Sequence, residues 1–129
     1  QLSGDLAAAE RDYVESRRIA VAINYDENIA TSTGNLAGMA LDRGDWTAAE
    51  ALAREALLFA KKVRRDELIA GFSDILARGL IRQGKTAEAK DHAQLSVDIF
   101  TRLPSPRRFF AQATLTECES ALTGKCLDI

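Results

Sequence analysis

The sequence predicts an all-α chain of antiparallel helical hairpins stacked into a solenoid, about six helices in all, repeating every 40 residues. Three observations predict it. The apolar residues are dominated by Ala and Leu, and there are only two prolines in 129 residues, which favours helix because Ala and Leu lose little side-chain freedom there. A glycine marker recurs in register as Gly4-Asp5, Gly44-Asp45, Gly84-Lys85 and Gly124-Lys125. Other columns keep the same spacing: Ala9, Ala49 and Ala89; Ser16, Ala56 and Ser96; Ile19, Phe59 and Ile99; Ile23, Val63 and Leu103; Leu36 and Leu76; Ala37 and Ala77; Asp26-Glu27 and Asp66-Glu67. Chance aligns one glycine pair, not this many columns.

In chain order, residues 5–23 read as the second helix of a partial hairpin. Residues 27–63 read as a full hairpin. Ile29, Leu36, Ala37, Met39 and Ala40 recur at helical spacing. Gly44 stops the first helix, being free to take positive φ, and Asp45 can cap the second. Residues 66–103 repeat the pattern, with Asp66 as the expected cap. Residues 106–122 read as the first helix of a partial or capping hairpin, with Ser105-Pro106 as the start signal. Residues 1–129 form one repeat domain. Helices of this length are marginal alone, so the small columns at Ala49 and Ala89 are expected to let neighbouring helices approach closely.

Composition limits the functional classes. A net charge of −2 from 17 basic and 19 acidic residues lacks the cationic surplus of a general nucleic-acid binder. No apolar run reaches membrane-span length, and no signal peptide is visible in residues 1–10. The chain opens on Gln, as a cut piece would. Cys118 and Cys126 read as free thiols of a reducing, cytoplasmic setting. His92 stands alone, the cysteines have no partners at metal spacing, and no phosphate loop or nucleophile elbow occurs. No enzyme, cofactor or metal is expected.

Leu36-Ala37, Ala40, Gly44-Asp45-Trp46, Ala49, Ala53 and Ala56 resemble a tetratricopeptide repeat. Leu76-Ala77, Leu80, Gly84, Ala89, Ala93 and Ser96 form a second match, and Gly4-Asp5, Ala9 and Tyr13 match the tail of an earlier unit. The period resembles the longer variety found in kinesin light chains and in bacterial signalling ATPases and transcription activators. Thr86 departs from the pattern where an aromatic is expected, as does Thr116 in the Leu column. The resemblance implies a right-handed α-α superhelix and a protein-binding scaffold.

Such arrays curve, and their first helices line the concave side. Thr31, Asn35, Gly38 and Asp42 share one helix face. Their counterparts are Gly71, Ile75, Arg78 and Arg82, with Asp74 beside them, and then Ala111, Leu115, Cys118 and Leu122. These columns vary in chemistry where the packing columns do not. Thr31, Asn35, Asp42, Asp74, Arg78 and Arg82 are therefore the candidate partner-binding residues. In similar repeats an Asn at the Asn35 position holds an extended peptide backbone, since an amide both donates and accepts; the alternative is an ordinary surface amide. Arg78 and Arg82 could grip a carboxylate of an acidic partner or pair with Asp42 or Asp74. The basic clusters Lys61, Lys62, Arg64, Arg65 and Arg102, Arg107, Arg108 read first as cations at helix C-termini. The expected function is holding a peptide or helix of another protein. The alternatives are a homodimer through exposed end helices and an interdomain regulatory arm of a larger signalling protein.

Overall fold

The computed structural model describes residues 4–127, with side chains described for residues 24–124 and for Arg11, Glu15, Arg18 and Ile19. Five helices and no strand occur among the described residues: α1 Gly4–Asp42, α2 Trp46–Lys62, α3 Asp66–Arg82, α4 Thr86–Arg102 and α5 Arg108–Leu127. Each packs on its chain neighbour, and α3 also touches both α1 and α5. On the opposite side α2 and α4 are joined at the surface by Arg54 and Glu88, 2.6 Å apart.

One turn recurs along the chain. The backbone N–H of Asp45 donates to Ala40 O, Arg65 to Ala60 O, Lys85 to Leu80 O and Ser105 to Phe100 O, at 2.9–3.2 Å. This bond satisfies a carbonyl that the helix end would leave unpaired. Gly44 and Gly84 take φ of 78° and 79° in these turns, and Arg64 takes 56°. Asp45 caps α2 as expected, its Oδ1 accepting from Ala48 N at 3.3 Å. Asp66 does not cap α3. It is the first helical residue, Arg65 stands at the cap, and the Asp66 carboxylate pairs with Arg102 at 3.0 Å while favouring the positive end of the helix.

The six expected helices are five because the break expected between residues 23 and 27 is absent, and α1 runs through it. Asn24, Tyr25 and Asp26 include neither Gly nor Pro, so a helix crosses them at about half a kcal/mol per residue. At the other end α5 extends past the expected stop, and Gly124 sits inside it. Helix α5 starts at Arg108, after a turn in which Ser105 Oγ accepts from Arg107 N at 3.1 Å.

The core follows the small columns. Ala49, Ala53, Ala56 and Ala60 of α2 and Ala89, Ala93 and Ser96 of α4 are completely buried. Leu76, Leu80, Phe72 and Phe100 fill the space between them. Ser96 satisfies its hydroxyl by donating to Ala70 O at 2.8 Å. The equivalent side chains of Ala9, Ser16 and Ile23 lie outside the described residues, as does the Cys126 thiol.

Candidate functional site

Residues of α1, α3 and α5, with Phe100 of α4 and Arg107 of the turn before α5, line an open cavity of about 330 Å³. Its depth begins with a glycine. Gly34 of α1 faces the ring of Phe72 so closely that a Cβ there would lie 2.1 Å from Phe72 Cε1. The missing side chain lets the Phe72 ring rest on the α1 backbone, and the ring becomes the cavity's floor. Phe100, Phe110 and Ile75 add apolar wall, while Asn35, Asp74 and Arg107 supply the polar groups. A mostly apolar hollow with a few convergent polar groups is the usual make-up of a binding site.

Two of the six expected residues, Asn35 and Asp74, meet in this cavity. Asn35 is exposed. Asp74 is half-buried, and burial pushes its carboxyl pKa up against the opposing effects of a Thr114 hydrogen bond and the Arg78 charge. Asp74 Oδ1 is buried without a hydrogen-bond partner among the described residues. Arg78 lines an adjoining hollow of about 260 Å³ with Asp74, Phe110, Thr114 and Glu117. Arg82 stands further along, its guanidinium 3.4 Å from the Glu117 carboxylate and 5.9 Å from the centre of the Trp46 ring. Glu117 thus occupies the position beside Arg82 that a partner's carboxylate was expected to take. Thr31 and Asp42 are exposed on α1, outside the cavity.

On α5 the expected column is not the groove face. Ala111, Leu115 and Cys118 are buried in the core. They are apolar at helical spacing, so the helix turns them inward. Burial, helped by nearby carboxylates, pushes the Cys118 thiol pKa up. Only Ala111 also edges the cavity, and Arg107, Phe110, Thr114 and Glu117 face the hollows instead. Sequence reasoning placed Arg107 only in a basic cluster and missed Gly34 and Phe110. A signal for the last was present in Phe109-Phe110, adjacent large apolar residues that one helix face cannot bury together. Both are exposed, Phe110 at 73%.

Three of the seven cations of the basic clusters are paired. Lys62 pairs with Asp26 at 3.4 Å, Arg65 with Glu27 and Glu67, and Arg102 with Asp66. His92 stands beside Glu88. No cluster of three metal-ligating side chains occurs among the described residues. No helix there is long and apolar enough to cross a membrane.

Residues 29–64 match the family model of the tetratricopeptide repeat. The matched stretch is the unit formed by the last third of α1 and by α2, joined at Gly44-Asp45-Trp46. It carries the residues of the stronger sequence match, and the second unit, α3 with α4, repeats its turn and buried alanines. No curated protein and no solved structure matches the chain.

Proposed function

We propose that this chain is a tetratricopeptide-type scaffold that holds a peptide or helix of another protein in the groove of α1, α3 and α5. Tetratricopeptide repeats generally mediate protein–protein contacts, and the family typically supplies scaffolds rather than catalysts. The observation that carries the reading is the 330 Å³ apolar cavity into which Asn35 and Asp74 bring polar groups from two different repeats. Asn35 serves a peptide backbone, Asp74 accepts from a donor, and the Phe72 floor receives an apolar side chain. Arg78 extends the site towards acidic residues of the partner, with Thr31, Asp42 and Arg82 at its margins. The turn every twenty residues supports a stack of helical hairpins, and the right-handed superhelix of the longer-period variety follows from the family resemblance.

The test is selection of binders from a displayed peptide library. Binders are expected to lose affinity at least tenfold for Asn35→Ala and for Phe110→Ala, at unchanged helical circular dichroism. Each substitution removes a contact worth about 1–2 kcal/mol. Peptides that bind both variants as tightly as the parent would refute the groove.

A further inference from the structure

The turn N–H bonds fall at residues 45, 65, 85 and 105. One step earlier the same spacing reaches residue 25, where α1 continues as helix. The surroundings of that point are nevertheless those of a turn. Lys62 pairs with Asp26 just as Arg102 pairs with Asp66. Asp26 therefore plays the part of the first residue of a hairpin, although it lies inside a helix. Residue 24 corresponds to Arg64, which adopts φ 56°, and Asn accepts that region more readily than Arg does.

The faces on either side of this point are uncovered. Leu36 is 50% exposed, whereas its counterpart Leu76 is 1% exposed. Met39 is 53% exposed, whereas its counterpart Gly79 lies buried against the α2 backbone at Trp46 and Glu50. On the other side Ile19 is 52% exposed, and its counterpart Ile99 is 5%. The helix that belongs on Leu36 and Met39 is present in the chain, because residues 5–23 carry the columns of α2 and α4.

We propose that α1 is hinged at Asn24-Tyr25, and that residues 5–23 fold back as a strap over Leu36 and Met39. The closed form completes the stack with the contacts that α2 makes to α3. A second copy is the poorer occupant. On a straight helix Ala9, Ser16 and Ile19 lie on roughly the opposite side from Leu36 and Met39 at 3.6 residues per turn. Two straight α1 helices therefore cannot bury both sets in one two-fold pair. Opening returns the apolar face of Leu36 and Met39 to solvent, so the strap governs whether that face is available.

The register gives the test. A Cβ on Gly79 would lie 3.7 Å from Ala49 Cβ, and the equivalent pair is Met39 and Ala9. A disulfide needs a Cβ separation of about 3.5–4.5 Å, and Met39→Cys also trims the side chain that Gly79 lacks. In a Cys118→Ala/Cys126→Ser background, Ala9→Cys/Met39→Cys is expected to form a bridge within one chain under mild oxidation. The control pair Ala9→Cys/Leu58→Cys, with Leu58 exposed on α2, should stay reduced. No bridge, or one found only between chains, would overturn the proposal. A second measurement leaves the cysteines untouched. Met39 is the sole methionine, so its peroxide oxidation reports the strap directly. Asn24→Gly should slow that oxidation relative to Asn24→Ala, by up to about fivefold from the difference in helix propensity. Equal rates in the two variants would also overturn it.

Discussion

Gly34→Ala tests the contact on which the groove is built. The new methyl would lie 2.1 Å from Phe72 Cε1 and 2.4 Å from Cζ, so the ring must retreat by more than an ångström. Phe72 is packed into the core behind it. The open direction is the cavity that both residues line. Overpacking of this kind costs about 1–3 kcal/mol, and the better helix propensity of Ala returns about 1 kcal/mol. The net expectation is destabilisation by about 1 kcal/mol, a fall in Tm of roughly 4 °C for a chain of this size. Thermal unfolding followed by circular dichroism reads it. The same substitution in a Phe72→Leu background, with the facing ring gone, should stabilise by up to about 1 kcal/mol. This change of sign separates a steric effect from a general weakening of α1. The displaced ring should also lower the affinity of any groove-bound peptide. A Tm that rises on Gly34→Ala in the otherwise native chain would refute the close approach of α1 to α3.

The other predictions concern packing and pH. Ala49 is fully buried in α2, facing Gly79; Ala49→Phe should cost about 1–3 kcal/mol, and an unchanged thermal midpoint would refute the register of the repeat. Asp74 has a folded-state pKa above its ordinary value of 3.8, first because of burial. The folded state then holds the proton more tightly than the unfolded chain, so this group's contribution to stability is lost as pH rises from that value through the raised one. Asp74→Asn should therefore gain stability over the parent at neutral pH, with the gain vanishing below the ordinary carboxylate range. Urea denaturation across that range checks it, and a gain independent of pH would refute the assignment to this carboxylate.

What the sequence made legible was whatever repeats. Gly44, Gly84 and the buried alanines lie where the forty-residue register puts them, because turns and close helix contacts tolerate few residue types. The register columns also named Asn35, and Asp74 was read beside them; the two share the cavity. It was silent where geometry depends on a neighbour not marked in the pattern. Gly34 matters because of Phe72, thirty-eight positions away, and nothing local signals that pairing. The two arginines share one helix face, but their orientation depends on Glu117 and Trp46. The α1 helix shows the same limit from the other side. The turn at Arg64 and the helix at Asn24 both lack Gly and Pro, so local preference does not separate them. What differs is that α3 packs on a face of α2, while among the described residues the corresponding face of residues 29–39 leaves Leu36 and Met39 exposed.

The rotation of α5 decides how a ligand would travel. If all three first helices presented equivalent positions, the path would run from Asn35 along Ile75 to Leu115. Leu115 is buried, so that path is closed at the third helix. The hollows instead pass from Asn35 to Asp74 and then to Phe110 and Thr114. A ligand on this path leaves the row of equivalent columns between the second and third helices. It ends against an exposed aromatic ring, which offers a large contact area at little entropic cost. Arg82, with its charge already met by Glu117 and its guanidinium near the Trp46 ring, lies off that path. Asn35 and Phe110 should therefore contribute more to recognition than Arg82, although the arginine is the more conspicuous residue in the sequence.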